Sequence, residues 1–310
     1  MSFTSDIKNE ILTVKLHGDV ARRAFVSALL RTCGAIEVVN EEFNFSATGD
    51  AQTIGYFTMV VKRLYKKECE VKSAGTGRVT ATVVGGDCLD DLIDLGILKR
   101  DGDDVTVCLN IGDDLVADEN TFKAYVTGAF LGSGSITLPK VDDKVKKKTG
   151  YHLEFVFSKY VTASDFCAML AGYGLMPKLV ERKGVFVVYF KSIDEIETVV
   201  GICGANSAFL KLTDVQIQKE IRNAENRKIN CEMSNLNKTI DASIKQREDI
   251  NLIRQTIGLE SLKQPLKQVA VARLEEDDLS LQQLAEKLGI TKSCLTHRLR
   301  KLSEISQSLK

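Results

Sequence analysis

One stretch of this chain occurs twice. Ala24-Phe25-Val26-Ser27-Ala28-Leu29-Leu30-Arg31-Thr32-Cys33-Gly34-Ala35-Ile36 returns one hundred residues later as Ala124-Tyr125-Val126-Thr127-Gly128-Ala129-Phe130-Leu131-Gly132-Ser133-Gly134-Ser135-Ile136. Alanine, valine, glycine and isoleucine keep their offsets, an aromatic matches an aromatic, and a small hydroxyl residue follows each valine. Self-similarity at a fixed offset, with matching flanks, reads as a duplicated domain half. Each copy reads as a helix ending at a glycine. Ala24 and Ala28 stand four apart, as do Ala124, Gly128 and Gly132, and residues four apart share a helix face. Such a small-residue face lets two helix backbones approach closely, so the two copies are expected to pack on each other. Two unrelated core helices are the competing reading.

The flanks repeat an order of elements. An opening helix is expected over 2–16, and the first repeat helix over Asp19 to Cys33. Strands follow at 35–39 and 44–47, a helix carrying Lys62 and Arg63 comes next, then a β-branched strand at 79–84 and a closing helix over 89–98. After the second copy come a strand through Ile136 and Leu138 and a lysine-rich loop (Lys144, Lys146, Lys147, Lys148). Further on are a strand at 151–157, a helix over 163–173 ended by Gly174, a buried strand at 185–190 and a helix over 192–202 with Ser192 as its cap. Each half is thus α–β–β–α–β–(β)–α. From Leu212 strands vanish, and Asn223, Asn226, Asn230, Asn235 and Asn237 alternate with Arg222, Arg227, Lys228 and Lys238. That pattern fits long connecting helices, either plainly solvated or touching a phosphate backbone. The fold class is α+β: duplicated α/β repeats with mixed sheets, then an all-α domain. The boundaries read as 1–110 and 111–211 for the two halves, 212–257 for a helical linker and 258–310 for the last domain.

Composition narrows the function classes. Hydrophobic content of 44% and charged content of 27% are those of a globular chain. No run reaches the ~18 apolar residues of a membrane helix. Met1-Ser2-Phe3-Thr4-Ser5-Asp6 lacks the basic-then-apolar pattern of a signal peptide, so a cytoplasmic, nucleoid-associated protein with no membrane partner is expected. The eight cysteines stand singly, with no CxxC spacing, and read as reduced, mostly buried small hydrophobes. The three histidines are dispersed, so neither a metal nor another cofactor is expected. Lys+Arg and Asp+Glu each total 42, which excludes a chain coated everywhere by nucleic acid. The charge is uneven, however: from Leu288 onward stand Lys292, Arg298, Arg300, Lys301 and Lys310 against Glu304 alone.

That basic end carries the most specific motif. Leu281 to Leu302 fits a helix-turn-helix: Ala285 is small where two helices cross, Gly289 suits a left-handed turn, and Thr291 can cap the second helix. Leu284, Leu288, Ile290, Leu295, Leu299 and Leu302 supply its core. Lys292, Ser293, Thr296, His297, Arg300 and Lys301 are left mostly outward, a donor set suited to base edges and phosphates in a major groove. Arg298 falls where many such motifs are apolar; it is included in the nucleic-acid-binding set. A trihelical protein-interaction module is the alternative.

The repeated helices resemble the LAGLIDADG motif of homing endonucleases, aligned through Gly34 and Gly134. With the linker string Asn226-Arg227-Lys228-Ile229-Asn230-Cys231-Glu232-Met233-Ser234-Asn235-Leu236-Asn237-Lys238-Thr239 and the final helix-turn-helix, the whole chain resembles the WhiA family of bacterial proteins. The resemblance implies a transcriptional regulator that binds double-stranded DNA. It further implies a role in cell division, chromosome segregation or sporulation, and partners such as other regulators or RNA polymerase. It also implies two repeat helices at a pseudo-twofold axis, with the sheets forming a DNA-facing saddle. In the endonucleases, an acid just before the final motif glycine holds the catalytic divalent metal. Those positions here are Cys33 and Ser133, and Mg²⁺ needs oxygen ligands carrying charge. Arg31 would repel a cation if aimed at the same place, and nothing marks out Glu37 as a substitute. No catalytic residue is therefore expected. A residual metal-dependent nuclease, or a nucleoid- or division-associated scaffold binding DNA with little sequence preference, are the alternatives. Gly132-Ser133-Gly134-Ser135 is a weak phosphate-loop signal, since it lacks the lysine of a P-loop.

Overall fold

The computed structural model describes residues 2–139, 150–276 and 279–309. These form two compact units, Met1–Ile217 and Gln218–Lys310. The lysine-rich loop expected at 140–148 lies outside the described residues.

The first unit starts with α1 (Phe3–Ile11), capped by Ser2, whose side chain accepts from the Ser5 N–H. There follow α2 (Gly18–Cys33), β1 (Gly34–Val39), β2 (Glu42–Asp50), α3 (Ala51–Tyr65), β3 (Glu68–Gly75), β4 (Arg78–Val84) and α4 (Leu89–Asp94). A small hairpin, β5 (Leu98–Asp101) and β6 (Asp104–Val107), leads to α5 (Glu119–Ser133). The order then recurs as β7 (Ser135–Thr137), β8 (His152–Phe157), α6 (Tyr160–Gly172), β9 (Lys178–Arg182), β10 (Val185–Phe190) and α7 (Ile193–Ile202). The two four-stranded sheets have the same topology, β1-β2-β4-β3 and β7-β8-β10-β9. The expected mixed sheets are antiparallel in every described pairing.

The duplication is therefore complete at the level of topology, and the parenthesised strand exists in both halves. β3 and β9 are its two copies. Each is an edge strand exposed along most of its length, so neither carries the apolar run that marks a buried strand. The helix expected over 89–98 stops at Asp94. Gly96 turns the chain at φ +64°, and the hairpin beyond it closes through Gly102 at φ +66°, with glycine first in a two-residue loop. Ser192 stands at the N-cap of α7 but makes no side-chain cap bond.

α2 and α5 pack against each other at the centre of one continuous core that includes Phe25, Leu29, Tyr125, Phe130, Phe155 and Phe166. A Cβ at Gly128 would stand against the Phe25 carbonyl oxygen and 3.1 Å from the Ala28 Cβ. One at Gly132 would strike the Thr32 hydroxyl and lie 3.3 Å from Cys33 Sγ. The small residues are what allow the two backbones this separation. Of the cysteines, Cys88 and Cys203 are buried, Cys231 is exposed and five are intermediate, so the expectation that most are buried fails.

α8 (Asn206–Thr256) is one helix where several were expected. Its start packs into the first core through Ala208 and Leu212, and its end into the second through Ile250 and Ile253. Between them, residues 217–242 are exposed on every face. The second unit is completed by α9 (Gln264–Glu275), α10 (Leu281–Lys287) and α11 (Lys292–Ser308) around Val269, Leu284, Ala285, Leu295, Leu299 and Leu302.

Candidate nucleic-acid interface

The turn between α10 and α11 follows from its residues. Ser280 and Gln283 form a reciprocal capping box at the start of α10. At its end Gly289 takes φ +61°; its N–H donates to the Glu286 carbonyl (3.1 Å) and the Ile290 N–H to the Ala285 carbonyl (3.0 Å). This left-handed closure needs glycine, and it puts buried Ala285 at the helix crossing. The Thr291 hydroxyl then accepts from the Cys294 N–H at 3.2 Å and starts α11.

α11 is divided lengthwise. Leu295, Leu299, Leu302 and Ser306 are buried. On the opposite arc Lys292, Ser293, Thr296, His297 and Arg300 line one shallow cleft of about 600 Å³. Lys301 is exposed one step outside this cleft. Arg298 points elsewhere: it is half-buried, and its Nη1 reaches the Pro265 carbonyl at the start of α9 at 3.5 Å. Arg300 lies 3.3 Å from Glu304 one turn on, an exposed pair worth little and easily surrendered to a stronger anion.

Sequence reasoning missed the residue that fixes this helix. Asp249 on α8 is buried and accepts from the hydroxyls of Ser303 (2.7 Å) and Ser306 (2.8 Å) on α11. Nothing in its local pattern separates it from the neighbouring exposed acids; only its pairing across the fold does. Removing the carboxylate strands a buried seryl hydroxyl, so Asp249→Ala is expected to cost about 2–3 kcal/mol. Urea unfolding measures this, and a loss below ~1 kcal/mol would mean that the apolar core alone orients α11.

The other candidate site is the end of the α2–α5 pair, where the likeness to endonucleases implies a divalent metal. The residues present do not fit one. Burial pushes the Cys33 thiol up to about 11, against an opposing pull from Lys8. The Ser133 hydroxyl accepts from the Val156 N–H at 3.0 Å, tying α5 to β8. Lys8, from α1, places its Nζ 2.8 Å from the Leu131 carbonyl. Burial lowers its pKa, opposed by the charges of Asp50 and Cys33. The chain's own cation thus sits among the helix-end groups. Arg31 does not point there. Its guanidinium donates to the carbonyls of Gly96 (2.7 Å), Cys108 (2.9 Å), Leu109 (3.1 Å) and Asn110 (2.7 Å). Glu37 is exposed on β1. Among the described residues no group of three His, Cys, Asp or Glu is placed to hold a metal.

The outward face of the first sheet carries more acids than bases. Strand register puts Glu37, Glu42, Asp50, Glu68 and Glu70 on it against Lys72 and Arg78, five carboxylates to two cations. On the second sheet the same face carries Glu154 against Lys178 and Arg182.

Residues 122–222 match the model of the WhiA LAGLIDADG-like domain, and residues 226–306 that of the WhiA C-terminal HTH domain. The probable cell division protein WhiA of Staphylococcus carnosus is 36% identical, covering 100% of this chain and 98% of its own length. That of Alkaliphilus metalliredigens is 35% identical, over 99% and 98%. The crystal structure of full-length WhiA from "Thermatoga maritima" superposes with a TM-score of 0.61, covering 99% of both chains at 20% identity. At that identity the likeness speaks for the fold alone. Among the described residues no helix is long and apolar enough to cross a membrane.

Proposed function

The chain belongs to the WhiA family, and we propose that it regulates transcription by binding duplex DNA through α11 and cuts no DNA. One observation carries this reading. Lys292, Ser293, His297 and Arg300 bring donors from successive turns of α11 to a single open cleft, where the Thr296 hydroxyl, which donates to the Lys292 carbonyl (2.8 Å), is left as an acceptor, while the opposite arc is locked to α8, α9 and α10 by leucines and by Asp249. A rigid helix with side-chain donors on its free face meets the requirement for reading base edges. The relatives' description as probable cell division proteins supports a role in division. Chromosome segregation or sporulation as its setting, a place at the nucleoid, and other regulators or RNA polymerase as partners belong to the same proposal and rest on the family resemblance alone. The Lys8 ammonium among the helix-end groups and the lack of an acid at Cys33 and Ser133 support the absence of cleavage.

The test is a salt series of fluorescence anisotropy on labelled duplexes. Arg300→Ala is expected to cost about 1–3 kcal/mol on the preferred sequence, and Lys301→Ala to flatten the log–log salt slope by about one with no change in preference. Unchanged affinity and slope in the double variant would remove α11 from the interface. Incubating bound supercoiled plasmid with Mg²⁺ or Mn²⁺ should leave it unnicked, and nicking that follows the wild-type protein would restore the nuclease reading.

A further inference from the structure

A second cleft in the same unit, of about 260 Å³, adjoins the first. It is lined by Lys238 and Thr239 of α8, Arg273 of α9, Ser280 and Gln282 at the start of α10, and Lys292 of α11. Lys292 lines both clefts, so the surface formed by Ser293, Thr296, His297 and Arg300 continues through it onto α8.

We propose that this second cleft seats a DNA backbone phosphate and that Lys238 is its principal charged contact. The inference rests on α11 being the DNA-reading helix. Three of its lining residues are cationic and none is a carboxylate. Their availability differs. Arg273 is buried and engaged, donating to Gln246 Oε1 (3.0 Å) and to the Leu279 carbonyl (2.7 Å), so it contributes a fixed charge beneath the cleft. The Thr239 hydroxyl donates to the Asn235 carbonyl, the Ser280 hydroxyl to Gln283, and one Gln282 N–H to Glu286. Lys238 and Lys292 are exposed, and among the described residues neither forms an ion pair. The charged donors left for a ligand are therefore two ammonium groups from two different helices, lining one opening. That chemistry selects a compact anion, and a point-charge ammonium is the ordinary lysine partner of phosphate.

Geometry selects the backbone over free phosphate. When the start of a reading helix meets base edges, the strand bordering the groove passes beside that start, and phosphate contacts there fix register. Lys292 is the first residue of α11 and lines both clefts, whereas Arg300 lines only the first and Lys238 only the second. The exposed middle of α8 would then be part of the interface as well as a connector.

Lys238 is solvent-facing on a helix, so replacing it should leave the fold intact, as circular dichroism would verify. Lys238→Ala is expected to lower the log–log salt slope by about one and to weaken preferred and mixed-sequence duplexes equally; Lys238→Arg should keep the slope. A duplex with one neutral methylphosphonate at the bordering position should weaken wild-type binding and leave Lys238→Ala unaffected. Inorganic phosphate at millimolar concentration, acting as competitor with equal effect on wild type and Lys238→Ala, would agree with this. Selective protection of wild type by free phosphate at constant ionic strength would instead make the cleft a small-anion site and overturn the proposal. Binding lost with Arg300→Ala but indifferent to Lys238→Ala overturns this inference alone, whereas a wild-type chain that binds no DNA overturns the function proposed above together with it.

Discussion

Adding one methyl group at Gly128 is expected to destabilise the first unit by about 2–3 kcal/mol, while the same addition at Gly55 is expected to stabilise it by about 0.5–1 kcal/mol. Both glycines lie inside helices, α5 and α3, so alanine improves intrinsic helix propensity equally at each. What differs is the space around them. Nothing stands within 4 Å of a Cβ at Gly55, which is exposed. A Cβ at Gly128 meets the Phe25 carbonyl oxygen of α2, a backbone atom that cannot rotate away. The helices must separate, and that opens the seam between the two halves where the aromatic core meets. Thermal unfolding of Gly128→Ala and Gly55→Ala measures both. Shifts of the same sign in the two variants would show that the contact between α2 and α5 yields without cost, and that the small-residue face reflects ancestry alone.

The features legible in the sequence share a property: each is fixed by residues within a few turns of one another. The repeated helix shows itself through the spacing of Ala24, Ala28, Gly128 and Gly132, and the helix-turn-helix through Ser280, Ala285, Gly289 and Thr291. Local sterics and capping decide both. β3 and β9 left little trace because an edge strand need not alternate cleanly. The hairpin at 98–107 did carry its Gly102-Asp103 turn signal, overlooked among the surrounding acids. The site residues that escaped notice act across long separations. Lys8 reaches a carbonyl of α5, and Asp249 holds serines more than fifty positions away. No periodicity encodes such pairs. Arg298 shows the converse case: its basic character suggested DNA, while its position on the flank of α11 brings it 3.5 Å from the Pro265 carbonyl.

Arg31 combines both effects and carries the second large prediction. It belongs to the duplicated stretch, two residues before the position where the endonucleases hold their acid. Its counterpart in the second copy is Leu131. A charge at that helix end is expected to act on a cation there; instead the side chain spans outward and donates to four carbonyls on two segments, at Gly96 and at 108–110. Those segments flank the small hairpin that joins the two halves, so one guanidinium fixes both ends of the hairpin to α2. Hydrogen bonds from a charged donor are worth more than neutral ones, and water can replace some of them at these half-exposed carbonyls. A net loss of about 2–4 kcal/mol is expected for Arg31→Ala. Arg31→Lys should recover little, because an ammonium is a point donor and cannot span acceptors that the planar fork reaches together. Urea unfolding of the two variants separates the possibilities. Full recovery with lysine would mean that charge alone matters at this position, and equal stability of Arg31→Ala and wild type would mean that water serves these carbonyls as well as arginine does. The expected result makes Arg31 the residue through which the first copy of the repeat, stripped of its acid, holds the second copy's connection in place.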